Sequence, residues 1–404
     1  MFLNFEIGNY RSIGDSTKID FCISNGQQLG AFAILKNQAI NKIACLVGPN
    51  ASGKSNILRG IEHFLKYMCH SYANPKLRMM RIMPHFCYTS KPTSFSVEFA
   101  EKNDQYKYDI SLLDNVVQQE SLKRLNTKTK RYKSIFVREL NKVKQLDMGN
   151  IEINKTDLKR LTEDISLFSL LLWSNYWGDE KFFKLKNNVM TNINLEYWSP
   201  SNVNPLNRVY DMERNLRLNK TLLKDLIEEL NVIDTGISEL RFGKVQEIRR
   251  NRTIRETIER ETSTLIALHN INEKNYPLHF WEESAGTINY MELYINLYSI
   301  LRNGGILIAD ELEQSLHPDI TMRILDKFLD KNQNPNNAQL LFTTHNPWFL
   351  QDLTKTQIHI IEKNGRGETD VTRLDEIKGV RNDENYFIKY IDGEYDGKPR
   401  IKER

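Results

Sequence analysis

The chain has 404 residues, of which 40% are hydrophobic and 27% charged, and its formal net charge is +4. This composition is typical of a soluble globular protein with one large domain or two ordinary ones. No apolar run reaches the ~20 residues that cross a bilayer, and the first residues lack the basic start and apolar stretch of a secretory signal. Four cysteines are too few for a disulfide framework, which favours a reducing compartment. From these three observations we expect a cytoplasmic protein without membrane contact.

A glycine-rich loop between a strand and a helix dominates the first hundred residues. The apolar run Ile43–Val47 predicts a buried strand. Apolar residues then recur at helical spacing from Ile57 to Met68, so we predict a helix that begins at about Lys54. The loop between them matches the phosphate-loop pattern G-x-x-x-x-G-K-[ST] at every fixed position, and it consists of Gly48, Pro49, Asn50, Ala51, Ser52, Gly53, Lys54 and Ser55.

This strand, loop and helix predict a nucleotide site. The glycines let the backbone wrap around phosphates, so that several N–H groups point inward at the positive end of the helix. Lys54 is expected to reach the β- and γ-phosphates and the Ser55 hydroxyl to ligate Mg²⁺, with Asn56 directly after them in the binding segment. ATP and Mg²⁺ are therefore the ligands that we expect.

Between about 116 and 270 the strand-rich pattern gives way, and we predict a mainly helical insertion. The stretches from Leu158 to Trp173 and from Lys220 to Leu230 have a helical pattern. No sustained heptad repeat is present, which argues against a long coiled-coil arm. A compact lobe is the expected form of this segment.

Two basic segments lie within the insertion, at Lys123–Lys144 and at Arg241–Arg260. They could follow a phosphate backbone, face an acidic protein partner or be solvated faces with no specific role. The second segment also contains acids, among them Glu247 and Glu256, which weaken its field and allow pairing within a helix. Nucleic-acid contact is thus one of three interpretations.

The C-terminal third contains a second group of candidate ligands. Tyr290 to Leu301 is apolar enough for a buried helix, and the glycines after Asn303 are predicted to end it. Ile306–Ala309 predicts a buried parallel strand that finishes at Asp310 and Glu311. The first acid is expected to hold Mg²⁺, and the second to polarise the attacking water, because the nucleophile must be oriented and lose a proton.

Three shorter elements accompany this pair of acids. Ser284 and Gly286 come directly before a helix, where a hydroxyl and free backbone N–H groups form an anion site. The run Ser315–Pro318 follows the second acid closely. The apolar stretch Leu340–Phe342 predicts a further strand, which places His345 near its carboxyl end, where ligand groups collect in α/β folds.

The order of these parts resembles that of the ABC-type ATPases, the superfamily that includes SMC, RecF and OLD proteins. The resemblance implies that two heads pair around ATP, with Ser284 and Gly286 of one head on the γ-phosphate held by the other. It also implies that Glu311 is catalytic, that His345 is the switch histidine and that Ser315–Pro318 is the D-loop. One element departs from the pattern: no glutamine has the context of a Q-loop, which leaves one partner of the metal unassigned.

A closer resemblance covers both ends of the chain. The segment Phe5–Ile13 is similar to the start shared by RecF, OLD and their relatives, which implies that Arg11 lies near the nucleotide phosphates. The chain also resembles the RloA/AbiL group of ABC ATPases from bacterial antiphage and abortive-infection operons, in the segments Met83–Phe86, Pro92–Phe99, Asp310–Pro318 and Tyr386–Pro399. Members of that group are commonly encoded beside a second protein, often a TOPRIM-type nuclease. Only 59 residues follow His345, too few for such a domain, so we expect the nuclease on a separate chain.

We therefore predict an α/β fold, a P-loop ABC-type ATPase head with a mixed sheet. Its halves are expected at 1–115 and 271–404, with the mainly helical insertion at 116–270. The expected function is ATP hydrolysis, which is slow or stimulated by a partner. The expected enzyme is a homodimer or higher homo-oligomer that controls a defence effector. The alternatives are a RecF-like DNA-repair ATPase that binds duplex DNA and an ATP-binding assembly protein with negligible turnover.

Overall fold

The computed structural model describes residues 1–23, 32–35, 38–101, 104–126, 128–147, 158–173, 195–199, 205–233, 235–250 and 257–397. The chain divides into two compact units. The first comprises Met1–Trp198, Ile300–Leu312 and Met322–Arg404, and the second comprises Ser199–Ser299 and Glu313–Thr321. Among the described helices, none combines the length and the hydropathy of a membrane span.

Strands outnumber helices along the described chain. In chain order the elements are β1 (Phe2–Gly8), β2 (Thr17–Asp20), β3 (Cys22–Ile23), β4 (Phe32–Leu35), β5 (Gln38–Asn41), β6 (Ile43–Val47), α1 (Lys54–His70), α2 (Pro75–Met79), β7 (Thr93–Glu101), β8 (Asp104–Leu113), β9 (Val116–Asn126), β10 (Arg131–Glu139), β11 (Lys142–Leu146), α3 (Leu167–Trp173), β12 (Leu195–Trp198), α4 (Pro205–Leu218), α5 (Lys220–Val232), β13 (Ile237–Arg250), β14 (Thr257–Ile271), β15 (Lys274–His279), α6 (Ala285–Asn303), β16 (Ile306–Ala309), α7 (Pro318–Leu329), β17 (Gln339–Thr344), β18 (Ile358–Lys363), β19 (Thr369–Arg373) and α8 (Tyr386–Asp392).

A seven-stranded antiparallel sheet in the order β11-β10-β9-β8-β7-β1-β2 forms one layer of the first unit. Alternate residues of its strands are buried, as in β8, where Tyr106, Tyr108 and Ile110 face inward. This face packs on α1, whose Phe64 stacks on Phe95 with ring centroids 5.2 Å apart. The buried apolar side chains of α1 thus form one hydrophobic core with those of the sheet.

A second sheet of the first unit carries the predicted nucleotide loop and has the order β12-β16-β17-β6-β18-β19. Its strands are parallel except for β19, which is antiparallel to β18. Every residue of β6, β16 and β17 is buried, as expected for parallel strands covered on both faces. Since these three strands are parallel neighbours, the loops after Val47, Ala309 and Thr344 emerge at one edge.

The second unit contains the antiparallel sheet β13-β14-β15 and the helices α4 and α5. A small sheet, β3-β5-β4, belongs to the first unit. Within the second unit, the Tyr290 hydroxyl of α6 donates a 2.7 Å hydrogen bond to the buried Glu229 of α5. That bond satisfies a carboxylate that would otherwise be costly to bury.

The α/β class with sheets of mixed strand direction is confirmed, as are the helices predicted at Lys54, Lys220–Leu230 and Tyr290–Leu301. The prediction of a mainly helical segment at 116–270 is wrong for the described residues, in which strands β9–β14 occupy more of the chain than helices α3–α5. The core face of β9 and β10 includes the charged residues Glu120 and Arg138, so the apolar alternation that indicates a strand is interrupted. The boundary expected after residue 115 falls within the antiparallel sheet, between β8 and β9.

Candidate functional site

The loop between β6 and α1 has two positions at which there is no space for a Cβ atom. Gly53, directly before α1, has a φ of 115°. A Cβ atom at Gly53 would lie 2.0 Å from Thr369 Oγ1, and one at Gly48 would lie 2.0 Å from the carbonyl oxygen of Ile361. Close packing against β18 and β19 therefore requires both glycines of the sequence pattern, and at Gly53 the left-handed backbone conformation requires glycine as well.

Two side chains of this loop suit an anion. The Lys54 ammonium donates to the carbonyl oxygens of Gly48 at 2.7 Å and Pro49 at 3.1 Å, so it lies across the loop. The Ser52 hydroxyl is buried and has no hydrogen-bond partner within the described part of the chain. A buried hydroxyl of this kind normally has a partner, and a phosphate oxygen would supply an acceptor. Together with the backbone N–H groups at the start of α1, these groups fit the phosphates of a nucleotide.

A chain of hydrogen bonds joins Ser55 to the pair of acids after β16. The Ser55 hydroxyl donates to Asp310 Oδ1 at 3.0 Å, and the Thr343 hydroxyl donates to the same oxygen at 2.8 Å. Thr343 Oγ1 in turn accepts a 2.7 Å hydrogen bond from the backbone N–H of Glu311. The hydroxyl and carboxylate oxygens of Ser55 and Asp310 form a hard-oxygen donor pair of the kind that Mg²⁺ takes beside water and phosphate.

Glu311 and His345 lie side by side at the same edge of the sheet. Glu311 Oε1 is 3.4 Å from His345 Nε2, and the two side chains are 41% and 40% exposed. The backbone of Glu311 has a φ of 55°, in the left-handed region that non-glycine residues rarely adopt. Local strain at a residue that also carries an accessible carboxylate is typical of a functional site.

Arg11 belongs to a tight turn that is tied to the phosphate loop. Asn56 Nδ2 donates to Ser12 Oγ at 2.8 Å, and Ser12 Oγ lies 2.8 Å from Thr369 Oγ1. Thr369 Oγ1 also donates to the carbonyl oxygen of Ser52 at 2.7 Å. The Arg11 side chain contacts Tyr10, whose hydroxyl accepts a 3.2 Å hydrogen bond from Arg11 Nε. Asn56 thus holds the N-terminal turn beside the loop.

Ser284 and Gly286 belong to the second unit, where they stand at the start of α6. The Ser284 hydroxyl is exposed and accepts a 3.1 Å hydrogen bond from the Thr287 N–H, as a helix cap does. A Cβ atom at Gly286 would lie 2.6 Å from the carbonyl oxygen of Ser315, whose own φ is 62°. Within this unit, the run Ser315–Pro318 therefore touches the Ser-x-Gly segment, and glycine is needed for that approach.

Sequence reasoning missed two parts of this site. Thr369 on β19 packs against Gly53 although it lies more than three hundred residues further along the chain, and no local pattern marks it. Strand β12 lies parallel to β16, and Asp310 N–H donates to Trp198 O at 2.9 Å. Burial, with the nearby charge of Asp310, raises the pKa of Tyr197 on β12 above its usual value. The short run Leu195–Trp198 has a strand-like pattern, which could have identified β12. It was overlooked because it lies in a segment that we predicted to be mainly helical.

The comparisons with known proteins cover most of the chain. The family model AAA_21, described as "AAA domain, putative AbiEii toxin, Type IV TA system", matches residues 43–350. Among solved structures, the fold is similar to an SMC head bound to the C-winged helix domain of ScpA, with 13% identity, 92% of this chain and 96% of that chain covered, and a TM-score of 0.47. It is also similar to the SMC head domain from Thermotoga maritima, with 12% identity, 92% and 98% covered, and a TM-score of 0.40. A search of curated proteins found no match.

Proposed function

The chain belongs to the AAA_21 family, and from this premise we propose that it is a cytoplasmic enzyme that binds ATP with Mg²⁺ and hydrolyses it. The observation that carries the proposal is the 3.0 Å hydrogen bond from Ser55 to Asp310, two residues 255 positions apart that the fold joins at the end of the phosphate loop. Few other functions require a phosphate loop, a hydroxyl and a carboxylate at one sheet edge.

Each group at this edge has a chemical role in the proposal. Lys54 and the loop N–H groups hold the phosphates, and Ser55 and Asp310 hold Mg²⁺, which when bound neutralises charge on the β- and γ-phosphates. Glu311 orients the attacking water and accepts its proton. His345, 3.4 Å from Glu311, orients that carboxylate and donates toward the γ-phosphate. Arg11 adds positive charge beside the loop.

The finer part of the proposal is a pair of heads that controls an effector. The exposed Ser284 hydroxyl and the close approach of Gly286 to Ser315 support a segment made for contact with a second copy's nucleotide. ATP binding would join two copies and hydrolysis would separate them. The family description names a toxin–antitoxin system, which supports a role in bacterial antiphage defence or abortive infection. The effector is a separate protein, such as a TOPRIM-type nuclease encoded nearby.

Part of the positive charge of the first basic segment, on which the DNA-repair alternative depends, is paired within the protein. Lys123 pairs with Asp109 at 2.9 Å and Lys133 with Asp147 at 2.7 Å. Arg138 is completely buried against Glu120. These pairs offset part of the positive charge that would attract a phosphate backbone, whereas Lys128, Lys130 and Arg131 are exposed. The side chains of Arg249, Arg250, Arg252, Arg255 and Arg260 in the second segment lie outside the described residues.

The test compares Glu311→Gln and Lys54→Ala with the wild-type protein. Glu311→Gln keeps the shape of the side chain and removes the base, so we expect ATP turnover to fall by about a hundredfold or more and the ATP-bound dimer to accumulate. Lys54→Ala is expected to lose ATP binding and dimer together. Turnover and molecular mass are measured with and without duplex DNA, and Glu139→Gln, on the exposed surface of β10, is the matched control.

Wild-type turnover in Glu311→Gln would contradict the assignment of the base. If duplex DNA strongly stimulates ATP turnover and this stimulation disappears at high salt, the DNA-repair function is supported in place of the effector-controlling function. Binding of ATP without turnover in the wild-type protein, with and without DNA, would point to the assembly protein.

A further inference from the structure

Four large apolar side chains are exposed at the end of α2 and in the chain that follows it. They are Met79, Met80, Met83 and Phe86, which are 50–80% exposed. A group of exposed apolar side chains of this size often marks a surface that contacts another molecule. Methionine suits such a surface because its flexible side chain adapts to the partner. We call residues 76–91, which carry these four side chains, the methionine segment.

The backbone of the methionine segment is held by the rest of the first unit. Asn115 Nδ2 donates to Met80 O at 3.2 Å, and Asn115 Oδ1 accepts a 3.0 Å hydrogen bond from the Ile82 N–H. The Arg11 N–H donates to Met83 O at 2.8 Å. Ile82 is buried in the hydrophobic core that includes α1. The exposed side chains therefore stand on an ordered backbone, which lowers the entropic cost of binding a partner.

The charge of the methionine segment is wholly positive. Residues 75–97 contain no Asp or Glu. Lys76 and Arg81 are exposed and form no ion pair with a described residue, whereas Arg78 pairs with Asp164 at 3.6 Å. An apolar surface with unpaired positive charge beside it favours a partner surface that is both apolar and acidic.

Helix α8 offers a surface of that kind. Ile388, Ile391 and Asp392 are spaced as i, i+3 and i+4, so they lie on one face of the helix. The two isoleucines are 52% and 43% exposed, and Asp392 is exposed without an ion pair to any residue that the structure describes. Residues 383–396 contain five acids and a single base, Lys389. The face of α8 is therefore apolar and acidic.

The methionine segment and the face of α8 lie on opposite sides of the parallel sheet. In β18, Ile361 packs in the core that includes α1 and Ile82, so its neighbour Ile360 points to the other side of the sheet. A Cβ atom at Gly397 would lie 2.5 Å from Ile360 Cγ2, and the Tyr390 hydroxyl of α8 donates to Gly397 O at 2.6 Å. Helix α8 thus covers the Ile360 side. One copy of the chain cannot bring the two surfaces together, but two copies can.

We propose that the methionine segment of one copy binds the α8 face of a second copy. Met79, Met83 and Phe86 pack against Ile388 and Ile391, and the basic side chains of the segment lie beside Asp392. The contact joins two different surfaces, so each added copy presents both of them again. Assembly therefore continues beyond two copies into a ring or a filament. This contact requires no nucleotide and goes beyond the proposed ATP-dependent pairing of heads.

The experiment measures molecular mass against protein concentration by sedimentation in the absence of nucleotide. The proteins are wild type, Arg81→Glu, Asp392→Lys and the matched control Lys142→Glu, an exposed residue of β11 outside both surfaces. Wild type and control are expected to assemble beyond two copies. Each of the other two changes brings like charges together and should weaken association by about tenfold or more. An equal mixture of Arg81→Glu and Asp392→Lys should assemble like the wild type, because every contact between unlike copies then pairs opposite charges.

Three results would overturn the inference. The wild-type protein could stay monomeric at every concentration, or Arg81→Glu and Asp392→Lys could each assemble as Lys142→Glu does. The third is a mixture that associates no more strongly than its two components, which would assign the methionine segment to a different protein partner. Lys54→Ala separates this inference from the proposed function. It is expected to lose the ATP-dependent dimer and to keep the assembly without nucleotide, and loss of both would assign that assembly to the nucleotide site.

Discussion

At the scale of single residues, Thr343 links the two acids that follow β16. Its hydroxyl donates to Asp310 at 2.8 Å and accepts from the Glu311 N–H at 2.7 Å, and the residue is completely buried. One hydroxyl therefore contacts the Asp310 carboxylate and also binds the N–H of Glu311, whose backbone is left-handed. Its removal would leave a buried N–H without an acceptor.

Thr343→Val, which keeps the shape of the side chain, is expected to lower ATP turnover by about tenfold, because Glu311 loses its orientation. The free energy of unfolding should fall by roughly 1–3 kcal/mol, the usual effect of one unsatisfied buried group. Steady-state turnover, ATP affinity and urea unfolding measure the three effects, and affinity should change the least. The control is Thr372→Val on β19 of the same sheet, which should match the wild type. Equal turnover in Thr343→Val and the control would mean that Thr343 has no orienting role.

At the scale of secondary-structure elements, the Glu120–Arg138 pair joins the antiparallel sheet to the start of α3. Both side chains are completely buried. Glu120 accepts hydrogen bonds from the N–H groups of Leu167 at 2.8 Å and Phe168 at 3.0 Å, while Arg138 donates to Thr162 O at 2.9 Å and to Ile165 O. The charges are thus satisfied by the loop and helix that cover the sheet.

Arg138→Met is expected to reduce the free energy of unfolding by roughly 3–5 kcal/mol, since it leaves the Glu120 carboxylate buried without its counter-charge. Replacement of both residues, Glu120→Gln with Arg138→Met, should cost less than the single change. Urea unfolding at pH 7.5 measures both proteins, with Lys133→Met, whose ion pair with Asp147 is exposed, as the control expected to change stability by less than about 0.5 kcal/mol. A double variant less stable than Arg138→Met would show that the pair does not act as one unit.

At the scale of the whole molecule, two buried histidines connect stability to pH. Burial, together with the charge of Arg373, lowers the pKa of His359 to about 3. Burial also lowers the pKa of His63 on α1 to about 4, with a smaller contribution from Arg11. In the unfolded chain each would titrate near its ordinary pKa of about 6.5. The unfolded chain therefore binds more protons than the folded one below pH 6.5, and acid favours unfolding.

We expect the free energy of unfolding to be independent of these histidines above about pH 6.5 and to fall as the pH drops from there toward 4. His359→Gln keeps an acceptor for the Asp20 N–H, which His359 Nε2 accepts at 3.3 Å, and should make the fall between pH 6.5 and 4.5 less steep. Urea unfolding at several pH values tests this, with His317→Gln, 68% exposed, as the control. Identical slopes for His359→Gln and the wild type would contradict the role of His359.

The local chemistry of the nucleotide site could be predicted from sequence. The loop Gly48–Ser55, the helix that begins at Lys54 and the strand before Asp310 depend on contiguous residues, and the α/β class follows from their patterns. Glycines at defined spacing, a buried apolar run and adjacent acids are signals within a few residues of one another. These signals name the candidate nucleotide-binding residues before any tertiary contact is known.

Only the tertiary structure decided which distant residues complete that site. Thr369 closes over Gly53 and binds Ser52 and Ser12, although no motif marks it, and β12 lies beside β16 from a segment predicted to be helical. The strands β9 and β10 were missed because Glu120 and Arg138 occupy core-facing positions that a hydrophobic pattern assigns to apolar residues. Ion pairs and long-range hydrogen bonds stabilise a fold only when both partners are in contact. Which distant residues come into contact cannot be read from their separation along the chain.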